Sequence, residues 1–397
     1  MSENQVQRLY NRLCTLCVFR RLLETPLFAS FLELAKTEGN TPQGLCAYGN
    51  FVENIYRGGG NLSDCVRKAV FEDENIYVTT LSADKTPDPH ITESAMRELD
   101  VLSEFAALSH ETLQNDMKTD LPLAGYTALE QVDLCAAYTA RLTQLHKHGY
   151  GMFASHCMFR LSGDFEHRIE PIVSADTITM DAFIGYHSER EQIVENTRAF
   201  VEGRPAANAL LYGDAGTGKS STVKAVANYF YSEGLRLIEL RKDQMAYLPF
   251  VMEKISGNPL KFIIFIDDLS FNRQDDTFSM LKAALEGSAS AKAPNAVIYA
   301  TSNRRHIVRE GFGDRDGDEV HRNDTMQELL SLSARFGLTV QFGKPDKKLY
   351  LEIVRELAAK KGIETDPSKL EIDAEAFALR RGHRSARCAE QFIDSLL

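Results

Sequence analysis

The chain has 397 residues, 44% of them apolar and 25% charged, with a formal charge of -11. That length suits two or three domains of roughly 100–200 residues, and the composition is that of an ordinary globular protein with sizeable cores. The carboxylate surplus opposes unaided binding to nucleic-acid phosphates, and seven scattered cysteines argue against a disulfide framework.

The N-terminus "MSENQVQRLYNR" lacks the basic-then-apolar layout of a signal peptide. No apolar run approaches the ~20 residues that span a bilayer. A cytoplasmic location without a membrane is therefore expected. Residues 1–145 read mostly as helices. Apolar residues recur at three- and four-residue steps in "QVQRLYNRLCTLCVFRRLLETPLFASFLELA", "SDCVRKAVFEDENIYVTTL" and "GYTALEQVDLCAAYTARLTQLHKHG". Gly58-Gly59-Gly60 and "SADKTPDPH" divide this region into helical groups. Cys14 and Cys17 form an isolated CxxC, read here as helix packing beside Leu13, Val18 and Leu22. "YGMFASHCMFRL" and "HRIEPIV" look like strands, arranged as a small hairpin joining the halves.

After Asp176 short apolar strands alternate with helices: "ALLY", "LRLIEL", "FIIFI", "AVIYAT" and "LTVQF". That alternation predicts a parallel sheet with crossover helices, covered on both faces. One crossover helix is expected between a cap at Asp275 or Asp276 and a stop at Gly287, with Phe278, Leu281, Ala284 and Leu285 on one face. From Pro345 onward the pattern is helical, with caps expected at Asp346, Asp373 and Ser385. The expected domains are a mainly helical 1–178, an α/β core at 179–343 and a helical lid at 344–397.

"LLYGDAGTGKSST" carries the chemistry. Gly213, Gly218, Lys219 and Ser220 fill the pattern GxxxxGK followed by Ser or Thr, between a strand and a helix. Such a loop wraps phosphate oxygens with backbone N–H groups of Asp214, Ala215, Gly216, Thr217 and Ser221 and their neighbours. Lys219 reaches the β- and γ-phosphates, and Ser220 holds Mg²⁺. "KFIIFIDDLSF" places Asp267 and Asp268 at a strand tip. Asp267 is the second metal anchor, and Asp268 the group that orients or deprotonates water. A buried carboxylate pair without a cation would be costly. Three aspartates at 314, 316 and 318 lack EF-hand spacing and read as an acidic loop.

With these Walker A and Walker B residues placed, the C-terminal half resembles the AAA+ ATPases. Within them it is similar to an uncharacterised bacterial family known as a predicted ATP-binding domain of unknown function. The resemblance covers about residues 180–397 and extends weakly upstream through "HGYGMF" and Phe159-Arg160. It implies a P-loop NTPase fold with ATP and Mg²⁺ as cofactors. It assigns Ile184, Gly185 and Tyr186 of "FIGYHSEREQI" to the adenine side. It makes Asn303 of "YATSN" the sensor that holds water or the γ-phosphate, and Arg335 of "LSLSARFGL" an arginine finger for a neighbouring subunit. In "GHRSARCAEQF" it makes Arg387 the lid arginine at the γ-phosphate, with Arg384 the alternative. The family's usual Glu is Asp268 here, one methylene shorter, which favours slow turnover. The expectation is an ATP hydrolase acting as a homo-oligomer, a ring or spiral, to remodel, load or gate a macromolecular client. The alternatives are a nucleotide-gated assembly switch with little turnover and a DNA-associated loader, the latter suggested by "NRRHIVR" and "LRRGHRSAR".

Overall fold

A computed structural model describes residues 5–163, 168–174, 177–269, 293–303 and 334–397, together with Leu281 and Leu285. The chain divides into two compact units, Met1–Ser155 and His156–Leu397. The first unit is helical: α1 Gln5–Leu13, α2 Pro26–Lys36, α3 Pro42–Arg57, α4 Leu62–Glu72, α5 Ile76–Ser82, α6 Pro89–Ala106, α7 His110–Met117, α8 Leu134–Leu142 and the single turn α9 Leu145–His148. Side-chain oxygens open most of these helices. Thr41, Asn61, Asn75, Asp88, Ser109 and Asp133 each accept an N–H of the first turn.

The core of this unit is aromatic. Phe28, Phe31, Phe51 and Phe105 are fully buried and meet in tilted pairs, with ring centroids 4.7 Å apart for Phe31 and Phe105 and 5.0 Å for Phe28 and Phe105. Buried carboxyl groups also lie among these helices, at Asp73 and Glu98. Glu98 on α6, 3% exposed, accepts the N–H groups of Cys17 (2.8 Å), Val18 (3.0 Å) and Phe19 (3.0 Å). It thereby satisfies amides that the chain presents between α1 and α2. Because α1 ends at Leu13, the CxxC does not lie on its packed face. Leu13, Val18 and Leu22 are buried as expected, but Cys14 and Cys17 are both exposed, which corrects their reading as packing residues.

The second unit is built on a seven-stranded sheet: β1 Met158–Leu161, β2 Ile169–Pro171, β3 Ala209–Gly213, β4 Leu235–Leu240, β5 Lys261–Ile266, β6 Ala296–Ser302 and β7 Leu338–Phe342. Their order is β2-β1-β4-β5-β6-β3-β7. All neighbours are parallel except β1 and β2. Phe262 to Ile266 of β5 are all 0% exposed, as a central parallel strand covered on both faces requires. The two early strands do form the expected hairpin. It does not bridge the halves as a separate piece, however, but extends the sheet from β4, Phe159 standing opposite Ile238. The compact units thus part between 155 and 156, upstream of the domain boundary at 178 expected from the texture of the sequence.

Helices α10 His187–Val201, α11 Lys219–Tyr229 and α12 Leu248–Ser256 belong to the sheet, and α13 Lys347–Lys360, α14 Pro367–Arg381 and α15 Ala386–Asp394 form the lid. Tyr350, Ile353, Val354, Ala374, Ala389 and Ile393 are the centre of the lid's own core. Asp346 and Ser385 cap α13 and α15 as expected. The cap of α14 is Asp366, not Asp373: Pro367 presets the first helical turn, and Asp366 accepts the N–H of Ser368. Of the helix expected between 275 and 287, only Leu281 and Leu285 are described. Both are helical, and Leu281 is buried. Asp275, Asp276, Phe278, Ala284, Gly287 and the loop with Asp314, Asp316 and Asp318 lie outside the described residues. Among the described residues no helix is long and apolar enough to cross a membrane.

Two substitutions test this packing. Glu98→Gln removes the charge from the acceptor of three amides. It is expected to cost about 1.5–3 kcal/mol, the scale of a hydrogen bond to a charged group. The reading is the urea midpoint by circular dichroism, and an unmoved midpoint contradicts the assignment. Gly213 ends β3 at φ 139°, where a Cβ would stand 2.0 Å from the Phe342 carbonyl oxygen on β7. Gly213→Ala is therefore expected to lower the thermal midpoint, since backbone and not a side chain must yield; a wild-type midpoint contradicts the β3–β7 register.

Candidate nucleotide site

β3, β5 and β6 run parallel and side by side, so their C-terminal ends open onto one crevice, where open α/β sheets bind ligands. Each end carries a polar residue. β3 passes into the glycine loop, β5 into Asp267-Asp268, and β6 into Asn303. The loop between Gly213 and Lys219 turns on glycines of positive φ, with Gly218 at the N-cap of α11. Gly218 offers no side-chain oxygen to the first turn, which leaves those amides to an anionic ligand. The loop is braced by Thr217, fully buried, whose hydroxyl donates to the Asp214 carbonyl at 3.0 Å, and by the Asp214 N–H, which donates to Phe342 on β7 at 3.1 Å. Ala215 is exposed at its tip.

Lys219 is 6% exposed, and burial lowers its pKa against the opposing pull of Asp214, Asp267 and Asp268. Its Nζ donates to the carbonyls of Gly213 (3.1 Å) and Asp214 (2.7 Å) and to Asn303 Oδ1 (3.1 Å). A phosphate that takes this ammonium exchanges those acceptors for charged ones. Asn303 spans two of the expected residues, because its Nδ2 donates to Asp268 Oδ1 at 2.9 Å. Ser220 donates to Asp267 Oδ1 at 2.6 Å. One hydroxyl and one carboxylate side by side are hard oxygen donors that fit Mg²⁺ shared with phosphate oxygens. Among the described residues no cluster of three His, Cys, Asp or Glu side chains that could hold a metal ion is present.

Asp267 and Asp268 are exposed. Their desolvation therefore does not single them out, contrary to the expectation from their place after an apolar strand; the contacts to Ser220 and Asn303 do. Asp268 has φ 50°, a left-handed backbone that Asp tolerates better than most residues.

Beside the loop lies a cleft of about 200 Å³. Phe183 and Ile184 line one wall, Ile353 and Leu357 of α13 another, with Gly216 and Ser221 at the phosphate loop. Its apolar walls suit a planar base. Of the three residues expected there, only Ile184 lines it. Gly185 turns at φ 67° against Leu349, where a Cβ would stand 2.7 Å from Cδ1. Tyr186 is turned into the sheet's core: its ring lies 5.6 Å from that of Phe342 and its hydroxyl donates to the Gly343 carbonyl at 2.7 Å. Burial pushes its pKa up to about 12.

Two lining residues carry opposite charges at the lid end, Arg387 and Glu390. The Arg387 N–H donates to the Gly216 carbonyl at 3.3 Å, which docks the start of α15 on the phosphate loop. Arg384 is engaged elsewhere, holding Glu375 through two bonds of 2.9 and 2.7 Å. Arg335 is half-buried just ahead of β7 and is not among the residues lining the cleft.

Motif reading missed two buried polar residues here. Arg190 of α10, 6% exposed, stacks 4.3 Å above the Phe183 ring, donates to the Gly185 carbonyl, and donates to Thr222 of α11 at 3.4 Å. Burial lowers its pKa to about 10. Thr301 of β6, 2% exposed, contacts the Asp267-Asp268 turn. An arginine at the fourth position of an amphipathic helix reads as surface, and a threonine inside a strand reads as core; neither carries a spacing signal.

Residues 154–397 match the family described as "Protein of unknown function (DUF815)". Over 222 residues the chain is 28% identical to the ATP-dependent zinc metalloprotease FtsH 2 of Symbiobacterium thermophilum, covering 53% of this chain and 35% of that protein. It is 24% identical over 245 residues to the ATP-dependent zinc metalloprotease FtsH 2 of a Thermoanaerobacter species, covering 58% and 44%. With proteasome-activating nucleotidase 2 of Haloferax volcanii it shares 25% identity over 192 residues, 44% of each chain. The chain thus spans less than half the length of these curated relatives. The family match takes in more than half of the chain and the entire α/β core and lid, and the chain belongs to this family of AAA+ ATPases.

Proposed function

We propose that the second unit binds ATP with Mg²⁺ and hydrolyses it slowly within a homo-oligomer, to remodel, load or gate a macromolecular client. The observation that carries this reading is the convergence of Lys219, Ser220, Asp267, Asp268 and Asn303 at the ends of three adjacent parallel strands, joined by direct hydrogen bonds. Lys219 and the loop amides hold the phosphates. Ser220 and Asp267 hold the metal, which neutralises phosphate charge when bound. Asp268 and Asn303 position the attacking water. The base lies in the cleft against Ile184, and Arg387, beside Gly216, faces the phosphates from the lid. Arg335, apart from its own chain's cleft, serves the site of a neighbouring subunit. The first unit, upstream of the family match, recruits or regulates.

A second reading draws on one contact. In this structure Asn303 engages the Asp268 carboxylate and Lys219 together. A base candidate held in this way favours a nucleotide-gated switch, in which occupancy drives assembly and turnover is incidental.

ATPase assays at rising protein concentration separate the two. Turnover per chain should climb with concentration and fall by ~10³-fold or more in Arg335→Ala, the usual scale of an arginine finger. A flat trace, unchanged by Arg335→Ala, sinks the shared site and leaves the switch. In equilibrium binding, Lys219→Ala should weaken ATP by at least ~10-fold, the loss of a charged hydrogen bond. Asp268→Asn should bind ATP like wild type but turn it over ~10²-fold more slowly, the lower range for a general base. Wild-type binding by Lys219→Ala contradicts the site assignment.

A further inference from the structure

Between β3 and β5, β6 places Thr301 at the foot of the site. Register sets Thr301 opposite Leu211 of β3, and Ala300 opposite Ile266 of β5, so Thr301 stands level with Asp267. It contacts three consecutive residues after β5. Its hydroxyl donates to Asp267 Oδ1 and accepts the Asp268 N–H at 3.0 Å. Its carbonyl accepts the Leu269 N–H at 2.7 Å. A hydroxyl has one proton to give and lone pairs to receive, so both of its hydrogen bonds are made at once.

We infer that Thr301 is the positioning residue that sets the Asp267-Asp268 turn for metal and water. The inference rests on the nucleotide reading of the same site. Thr301 takes the backbone N–H on each side of the Asp268 Cα, that of Asp268 on its hydroxyl and that of Leu269 on its carbonyl, while Asp268 itself stands at φ 50°, so Thr301 holds the backbone turn that separates the two carboxylates. Among the described residues, the hydrogen bonds to the Asp267 carboxylate all fall on Oδ1, from Ser220, Thr301 and the Asp268 N–H. That ties one oxygen to the protein and orients the carboxylate, as outer-shell partners of metal-binding carboxylates do. Thr301 acts through Asp267 and Asp268 and needs no contact with the nucleotide.

The test uses the full chain with Thr301→Val, Thr301→Ala and Thr301→Ser. Valine keeps the shape without the hydroxyl, alanine cannot overpack, and serine keeps both hydrogen bonds. In EDTA a fluorescent ADP analogue should bind Val, Ala and wild-type chains alike. The Mg²⁺ concentration for half-maximal ATP turnover should rise ~10–100-fold in Val and Ala and return to near wild type in Ser, the usual scale for a lost outer-shell partner. Wild-type Mg²⁺ dependence in Val and Ala, or a serine variant as impaired as valine, overturns the inference. A crystal structure of Thr301→Val or Thr301→Ala gives a readout without nucleotide. Asp268 should leave its left-handed conformation, and an unmoved turn overturns the positioning role. A wild-type chain that binds no nucleotide overturns the metal role and the proposed function together, and the crystal structure then still decides what holds the turn.

Discussion

Oδ1 of Asp267 accepts one hydrogen bond from Ser220 on α11 and another from Thr301 on β6. Three elements that are distant in sequence meet at that oxygen. The glycine loop supplies Ser220 by opening α11, β5 supplies Asp267 at its tip, and β6 supplies Thr301 and, two residues later, Asn303. Asn303 bonds Lys219 and the Asp268 carboxylate, and the Asp268 N–H in turn bonds Asp267 Oδ1 and the Thr301 hydroxyl, so these residues form one linked group. Such a group holds its geometry only while the strands beneath it keep register, because a one-residue slip of β6 would turn Thr301 away from the turn it braces.

The sheet enforces that register. β5 is fully buried from Phe262 to Ile266, and β6 is paired on both sides, by β5 and β3. Gly213 permits β3 to pass against Phe342 of β7 without a Cβ between them. The parallel sheet thus delivers three loop ends to one place, while the cleft beside the glycine loop is walled in part by the lid through Ile353 and Leu357. The lid that makes part of this wall has its own core, and the Arg387 N–H joins it to the glycine loop at the Gly216 carbonyl; under the proposed function, a nucleotide in the cleft would therefore touch both.

Where a feature depends on local pattern, the sequence made it legible. The glycine loop, the apolar strands, the caps Asp346 and Ser385 and the helical first unit all follow from spacing within a dozen residues. The misreadings arise where a neighbour decides. β1 and β2 joined the sheet because β4 offers an edge, which periodicity does not reveal. Tyr186 follows a glycine in the segment expected on the adenine side, yet its ring fits against Phe342 from another strand. Cys14 and Cys17 fit the apolar step of α1, but the helix stops at Leu13. Asp373 looked like a cap until Pro367 moved the start of α14 upstream. Thr301 and Arg190 gain their roles from cross-strand and interhelix proximity alone.

Metal-assisted nucleotide binding at the glycine loop is the step on which the proposed activity depends. Isothermal titration of the intact protein with ATP, in EDTA and then in Mg²⁺, examines that directly. One nucleotide per chain, bound more tightly with Mg²⁺ present, is the result expected from Ser220 and Asp267 side by side. An absence of binding heat in both conditions, or an affinity indifferent to Mg²⁺, contradicts it.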